Sequence, residues 1–289
     1  MAGKTVLVYP EQGFGDAIQF IRYVPLVHAR GARVVVACHQ KLARLCQTVE
    51  GVATVLTPEQ PLPPIDYCTP LMSLPLAMKT RLETIPAQVP YVSAEPGEIA
   101  AWQRRIAGYD GRLQVGVAWQ GNPKFPASRA KACPLERLAP LFAVPGCAFF
   151  SLQAGEAAAA LRAWISQGQP VTDVAGGLES FSDTAAVVCA LDLVITIDTA
   201  VAHLAGALGK PVWILLPSGG KGQRGCGSHG ADPVQEIGRP CRDGAGTLRG
   251  EAGGLPCRSP WERPTGVAGG RTWGREFTFA AQKGGSLVQ

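Results

Sequence analysis

The chain has 289 residues, 46% of them hydrophobic and 17% charged, with a formal charge of +5 and a pI near 8.8. That is enough apolar material for two globular domains, and the charge excess sits in scattered arginines, not in a basic patch fit for nucleic acid. No window reaches the roughly 18 apolar residues of a membrane span, which excludes a transmembrane helix.

In chain order, the apolar runs predict strands at 5–9, 33–38, 52–57 and 65–69, with helices at 15–30, 40–48 and 96–108 between and after them. Ile18, Ile21, Leu26 and Val27 give the first helix its apolar spacing. A second run follows "GYDGR": strand 113–119, a polar loop at 120–133, helix 134–142, strand 147–152, helix 155–166, strand 171–174, helix 181–190, strand 192–197, helix 199–208 and strand 211–216. Such alternation predicts parallel sheets covered on both faces, here in two doubly wound domains, 1–109 and 110–217. Ligands of such domains bind in the cleft beyond the strand C-terminal ends. Residues 218–289 are rich in glycine, arginine and proline and poor in aliphatic residues, so they are expected to be disordered; only "REFTFAA" looks strand-like. Nine cysteines lack CxxC spacing, and several, such as Cys38 and Cys189, sit in apolar runs. They read as buried thiols of a reducing compartment. The N-terminus runs into a strand with no signal-peptide pattern, so the expected location is cytoplasmic.

Three stretches could carry chemistry. The first is "EQGFGDAIQF". A dinucleotide fingerprint would need a third glycine where Ile18 stands, and an acid where the second strand ends in Cys38-His39-Gln40. An oxidoreductase using a nicotinamide cofactor is therefore disfavoured. Gly13 and Gly15 instead give a tight turn with close backbone approach, and Asp16 falls near a helix N-terminus. It is either a simple cap or a group presented to a ligand. The second stretch is "DLVITIDTAVAHLAGALGKPVWILLP". Asp198-Thr199 ends an apolar strand, Thr199 and His203 are four apart on one helix face, and a helix N-terminus suits a phosphate. Ala200, Ala202, Ala205 and Gly206 allow close packing or ligand approach. The plainer reading is an N-cap aspartate with a partly buried histidine. The third is the loop holding Lys124, Arg129 and Lys131, either a solvated basic loop or the source of a cation for a diphosphate.

Residues 5–217 resemble the heptosyltransferase-like glycosyltransferases of family nine, above all the catalytic module of bacterial tetratricopeptide-repeat proteins. The resemblance is carried by "EQGFGDAIQFIRYVPL", "ETIPAQVPYV", "VGVAWQGNP", "FFSLQ" and "DTAAVVCALDLVITIDTAVAHLAGALGKPVWILLP". It implies a GT-B fold of two Rossmann-like domains facing a cleft, with the acceptor bound mainly by the first and a nucleotide-diphosphate sugar by the second. It also implies inverting, metal-independent transfer with no cofactor and no nucleic-acid partner, to an acceptor that is a glycan or a protein. Carried over by position, Asp16 is the general base, and Lys131, Asp198, Thr199, Ala200 and His203 bind the donor. The turn glycines of that motif are Gly13 and Gly15.

The chain departs from the pattern at Ala154, where a lysine is common, and after Pro217, where an aromatic-rich loop and a returning helix are expected. The composition of 218–289 is the one that out-of-frame translation of GC-rich DNA tends to give, so the second domain is read as truncated and its activity as impaired. Tetratricopeptide repeats, which precede the module in such proteins, are not present in this chain. The alternative reading is a non-catalytic protein that binds a nucleotide sugar or a partner.

Overall fold

The computed structural model describes residues 1–109, 111–123, 129, 131–217 and the backbone of 277–283 and 286–287. Four short strands open the chain: β1 (Thr5–Tyr9), β2 (Arg33–Ala37), β3 (Val52–Leu56) and β4 (Tyr67–Pro70). They form a wholly parallel sheet of order β3-β2-β1-β4, with Thr5 opposite Arg33 and Val8 opposite Val36. Val6, Val8, Val34 and Val36 face one apolar cluster, whereas Leu7, Val35 and Ala37 face another. Burial on both faces explains why these strands read as unbroken apolar runs.

The helix expected over 15–30 is two helices. α1 (Phe14–Phe20) passes through a 3-10 turn at Ile21–Tyr23 into α2 (Val24–His28). Pro25 has no N–H to give to the turn before it, so the α-helical ladder cannot run through; the backbone tightens at that point. α3 (Gln40–Cys46), the short α4 (Leu74–Ala77) and α5 (Pro96–Ile106) complete the first unit. Pro96 takes the first turn of α5, where its missing N–H costs nothing.

The second unit contains β5 (Leu113–Ala118), α6 (Leu135–Phe142), β6 (Cys147–Ser151), α7 (Ala157–Ser166), β7 (Val171–Asp173), α8 (Phe181–Ala190), β8 (Leu193–Ile197), α9 (Ala200–Ala207) and β9 (Val212–Pro217). Its sheet runs β9-β8-β5-β6-β7, all parallel. Two more strands extend it beyond β9: β10 (Phe277–Lys283), antiparallel to β9, and β11 (Ser286–Leu287). β10 falls on "REFTFAA", the one stretch of 218–289 that looks strand-like in the sequence. The alternating "FTFAAQK" is strand-forming, and β9 would otherwise be an edge with unpaired backbone groups. The rest of that segment, with the frame-shift reading attached to it, lies outside the described residues.

The two units meet through their helices. α1 packs on α9, and α3 and α5 pack on α8. One apolar cluster crosses the boundary, joining Ile18, Leu42 and Ile106 to Ala185, Val188 and Leu204. At its rim Phe14 meets Phe181 edge to face, with ring centroids 5.1 Å apart. Arg44 on α3 pairs with Glu98 on α5 and, at 3.2 Å, with Asp183 on α8.

Strand order also fixes where ligands can enter. In the first sheet the order reverses between β1 and β4, and in the second between β5 and β8. Crevices of doubly wound sheets open at such points. The loop after β1 leads to Asp16, the loop after β5 leads to Lys131, and β8 ends at Asp198.

Candidate functional site

On the first unit, β1 ends and the chain turns into α1 with Gly13 as N-cap, in extended conformation. Asp16 is the third residue of the helix. Its Oδ2 accepts the Gly13 N–H at 3.1 Å, so Asp16 is indeed a cap. Its charge also reaches His203 of the second unit. Neither turn glycine has a positive φ. A Cβ on Gly13 would make only an ordinary contact, 3.6 Å from Asp16 Oδ2. A Cβ on Gly15 would lie 2.7 Å from His203 Cδ2 and 3.6 Å from the Ala200 Cα. Gly15 is therefore demanded by the approach of α1 to α9, not by the turn.

On the second unit, β8 is fully buried and delivers Asp198 and Thr199 at its C-terminal end. Thr199, not Asp198, is the N-cap of α9, with φ −141° and ψ 174°. The first N–H groups of a helix have no partner inside it. The Thr199 hydroxyl does not cap them but lies 3.2 Å from the Thr196 hydroxyl. Ala200 starts the helix, and Ala202 and Ala205 are buried. A Cβ on Gly206 would meet nothing within 4 Å, so that glycine is not needed for packing.

Asp198 is bracketed by two bases. Its Oδ2 accepts from Lys131 Nζ, and its Oδ1 lies 3.8 Å from His203 Nε2. Lys131 and Asp198 are each about two-fifths exposed, so the pair orients Lys131 more than it stabilises the fold. Burial pushes the His203 imidazole below its ordinary value of 6.5. Asp198 and Asp16 pull it back up, and Arg22 and Lys131 push it further down. The net shift is downward, so His203 is neutral at pH 7. Of the other loop cations, Arg129 is exposed and Lys124 lies outside the described residues.

Three residues of the site escape sequence reasoning. Glu11 precedes Asp16, and the Met72 backbone N–H donates to its carboxylate. Partial burial raises its pKa; that hydrogen bond opposes the rise and the Asp16 charge adds to it. Arg22 sits on the 3-10 turn after α1 and places its charge within reach of His203. Gln153 is buried at the end of β6. Its Oε1 accepts the Trp119 and Gln120 N–H groups at 3.0 and 2.8 Å, and its Nε2 donates to the Gln120 and Ala154 carbonyls. It thereby fixes the start of the loop that carries Lys131. The Cys133 N–H closes that loop on the Trp119 carbonyl. Glu11, Arg22 and Gln153 all lie in stretches quoted for the resemblance, and that was the only signal for them. Among the described residues, no group of three or more His, Cys, Asp or Glu side chains is arranged to hold a metal ion.

Residues 146–215 match the model of Glycosyltransferase family 9 (heptosyltransferase). That segment of the chain is similar to the family. The matched segment includes Asp198, Thr199, Ala200 and His203; Asp16 and Lys131 lie outside it. Protein FlbA of Caulobacter vibrioides is 25% identical over 247 residues, which are 74% of this chain and 40% of FlbA. The chain thus spans well under half the length of that relative. Among solved structures, the glycosyl transferase family 9 protein from Veillonella parvula superposes with a TM-score of 0.57 at 12% identity, covering 73% of this chain and 81% of that one. The ADP-heptose LPS heptosyltransferase II of E. coli gives 0.53 at 14% identity, covering 72% and 83%. These superpositions show a GT-B-like fold in this chain.

Proposed function

We propose that the chain transfers a sugar from a nucleotide-diphosphate donor to an acceptor hydroxyl, with inversion and without a metal ion. The observation that carries this reading is the meeting of α1 and α9. It sets one carboxylate from the first unit opposite a helix N-terminus, a lysine and a neutral histidine from the second.

A diphosphate at the start of α9 meets unpaired N–H groups and the positive end of the helix dipole. Lys131 is held beside it by Asp198 and can turn to the phosphates as charge grows on the leaving group. Neutral His203 adds a hydrogen-bonding nitrogen and no charge. The acceptor enters from the first unit. Asp16 takes the proton of its hydroxyl as the oxygen bonds to the anomeric carbon, and the bond to the diphosphate breaks on the opposite face. A single displacement of this kind inverts the centre. No residue here identifies the sugar, and the acceptor is a glycan or a protein. A cytoplasmic setting belongs to the same proposal; among the described residues, no helix is long and apolar enough to cross a membrane.

The test has two stages. A panel of nucleoside diphosphates is screened for a rise in melting temperature, expected at about 2.7 kcal/mol of added stability when the ligand is at 100 times its Kd. Sugar transfer is then compared for the chain and for Asp16→Asn. Stabilisation by NAD and by no nucleoside diphosphate would reject the donor assignment. Binding with no transfer from any donor would move the protein to the non-catalytic reading.

A further inference from the structure

The segment "ETIPAQVPYV" has no part in the chemistry above, yet it touches both halves of the site. Arg22 holds it from one side. Its Nη1 donates to the Pro86 carbonyl at 3.3 Å, its Nη2 donates to the Tyr91 hydroxyl at 2.9 Å, and its Nε donates to Gln19 O at 2.9 Å on α1. The guanidinium also lies 4.6 Å from the centre of the Tyr91 ring. From the other side, the Tyr91 N–H donates at 3.0 Å to Ala207 O, at the C-terminal end of α9. Val89 and Pro90 cover Gly209, the left-handed residue just past that helix. α9 is thus gripped twice by the first unit: at His203 by Gly15, and at its far end by a strap whose anchor is Arg22.

We propose that Arg22 is a positioning residue. It fixes the 86–91 strap to α1, so that Asp16 on α1 and His203 on α9 keep one separation. The inference rests on the sugar-transfer reading for its consequence, but not for its geometry. A guanidinium is suited to the task, because its rigid fork serves three acceptors at once while its face stacks on an aromatic ring. A lysine can serve one of these carbonyls at a time and cannot stack in the same way.

The experiment uses the full chain with Arg22→Gln, Arg22→Lys and Tyr91→Phe. Two quantities are read: the titration of the His203 imidazole by NMR, and turnover against donor KM. His203 is faced by Asp16 and Gly15 from α1, by Asp198 and Lys131, and by Arg22, so its titration reads the charge placed around it. Arg22→Gln is expected to move the His203 titration upward and to lower turnover by about 10- to 100-fold, the scale of a small misplacement of reacting groups. Donor KM should stay within about twofold, since donor contacts are untouched. Arg22→Lys should leave the His203 titration near wild type yet still lose turnover, which separates geometry from charge. Tyr91→Phe removes one hydroxyl, keeps the ring under the guanidinium, and should lose less turnover in the same direction. Wild-type turnover in Arg22→Lys overturns the proposal. So does an unchanged His203 titration in Arg22→Gln, or, if that variant fails to fold, wild-type turnover in Tyr91→Phe. If the parent chain transfers no sugar, the sugar-transfer reading fails by itself, and hydrogen exchange of the Tyr91 amide, which is bonded to Ala207 O on α9, decides the role of Arg22: faster exchange in Arg22→Lys and Arg22→Gln is expected, and unchanged protection in both overturns the proposal.

Discussion

Gly15 and His203, from different halves of the molecule, are in contact so close that a single methyl group cannot be placed between them: a Cβ on residue 15 would stand 2.7 Å from the imidazole Cδ2. Gly15→Ala must therefore push the ring or part α1 from α9. Overpacking of this kind costs about 1–3 kcal/mol. Chemical denaturation should show that loss, and transfer should fall with it. An alanine variant of unchanged stability and activity would mean that the helices meet less tightly than described.

Asp16→Asn should separate base from cap. Asparagine can still accept the Gly13 N–H, so stability should barely change. It cannot take a proton, and transfer should fall by about 10²- to 10⁴-fold. Nucleotide affinity, set by the second unit, should stay near wild type in a thermal-shift titration. Near-normal transfer would leave Asp16 as a cap alone.

The lowered pKa of His203 has a consequence for acid stability. The unfolded chain titrates this residue near 6.5, while the folded chain resists the proton to lower pH. Between those values the unfolded state binds more protons, so stability rises with pH. The contribution is complete above about pH 6.5 and is lost as the pH falls through the lowered folded value. Urea midpoints measured from pH 7.5 to 5 should fall toward acid, and His203→Gln should flatten that part of the curve. An equal slope in the variant would assign the effect to other groups.

Gln153→Leu should be costly. It strands the Trp119 and Gln120 N–H groups, and each buried unpaired group costs about 1–3 kcal/mol. The Lys131 loop starts at these residues, so nucleoside diphosphate binding should weaken together with stability. Loss of stability with unaltered nucleotide affinity would uncouple Gln153 from the donor side.

Arg44→Ala removes two ion pairs, which join α3 to α5 and, across the boundary, to α8. Arg44 is half exposed, so the loss should be no more than about 1 kcal/mol and should shrink in salt. Denaturation at two ionic strengths checks this.

Where structure depends on near neighbours, the sequence was readable. Unbroken apolar runs located β1 and β2, and the apolar strand ending in Asp198-Thr199 located the strand-to-helix corner of the donor side. Other features depend on residues distant in the chain. Gly15 reads locally as a turn glycine, yet its constraint comes from His203. Arg22 reads as one of many scattered arginines, and only the folded strap gives it acceptors. Gln153 has no local sign that its amide is buried. The pairing of 277–283 with β9 is a match between two backbones, and composition does not encode it. Pro25 was the exception: its effect on the first helix is local and could have been anticipated from its missing N–H.

The antiparallel closure of β9 also bears on how this polypeptide behaves among its own copies. Pro217 through Val212 are matched one for one with Phe277 through Gln282, so the outer row of β9 donors and acceptors is used up within the chain. A version shortened to end at Pro217 would lay that row bare, next to a Trp213 side chain that is already 38% exposed. Open strand borders recruit one another. Such a shortened protein would therefore self-associate more readily than the full chain, and the strand at 277–283 would act as the molecule's protection against intermolecular sheet growth.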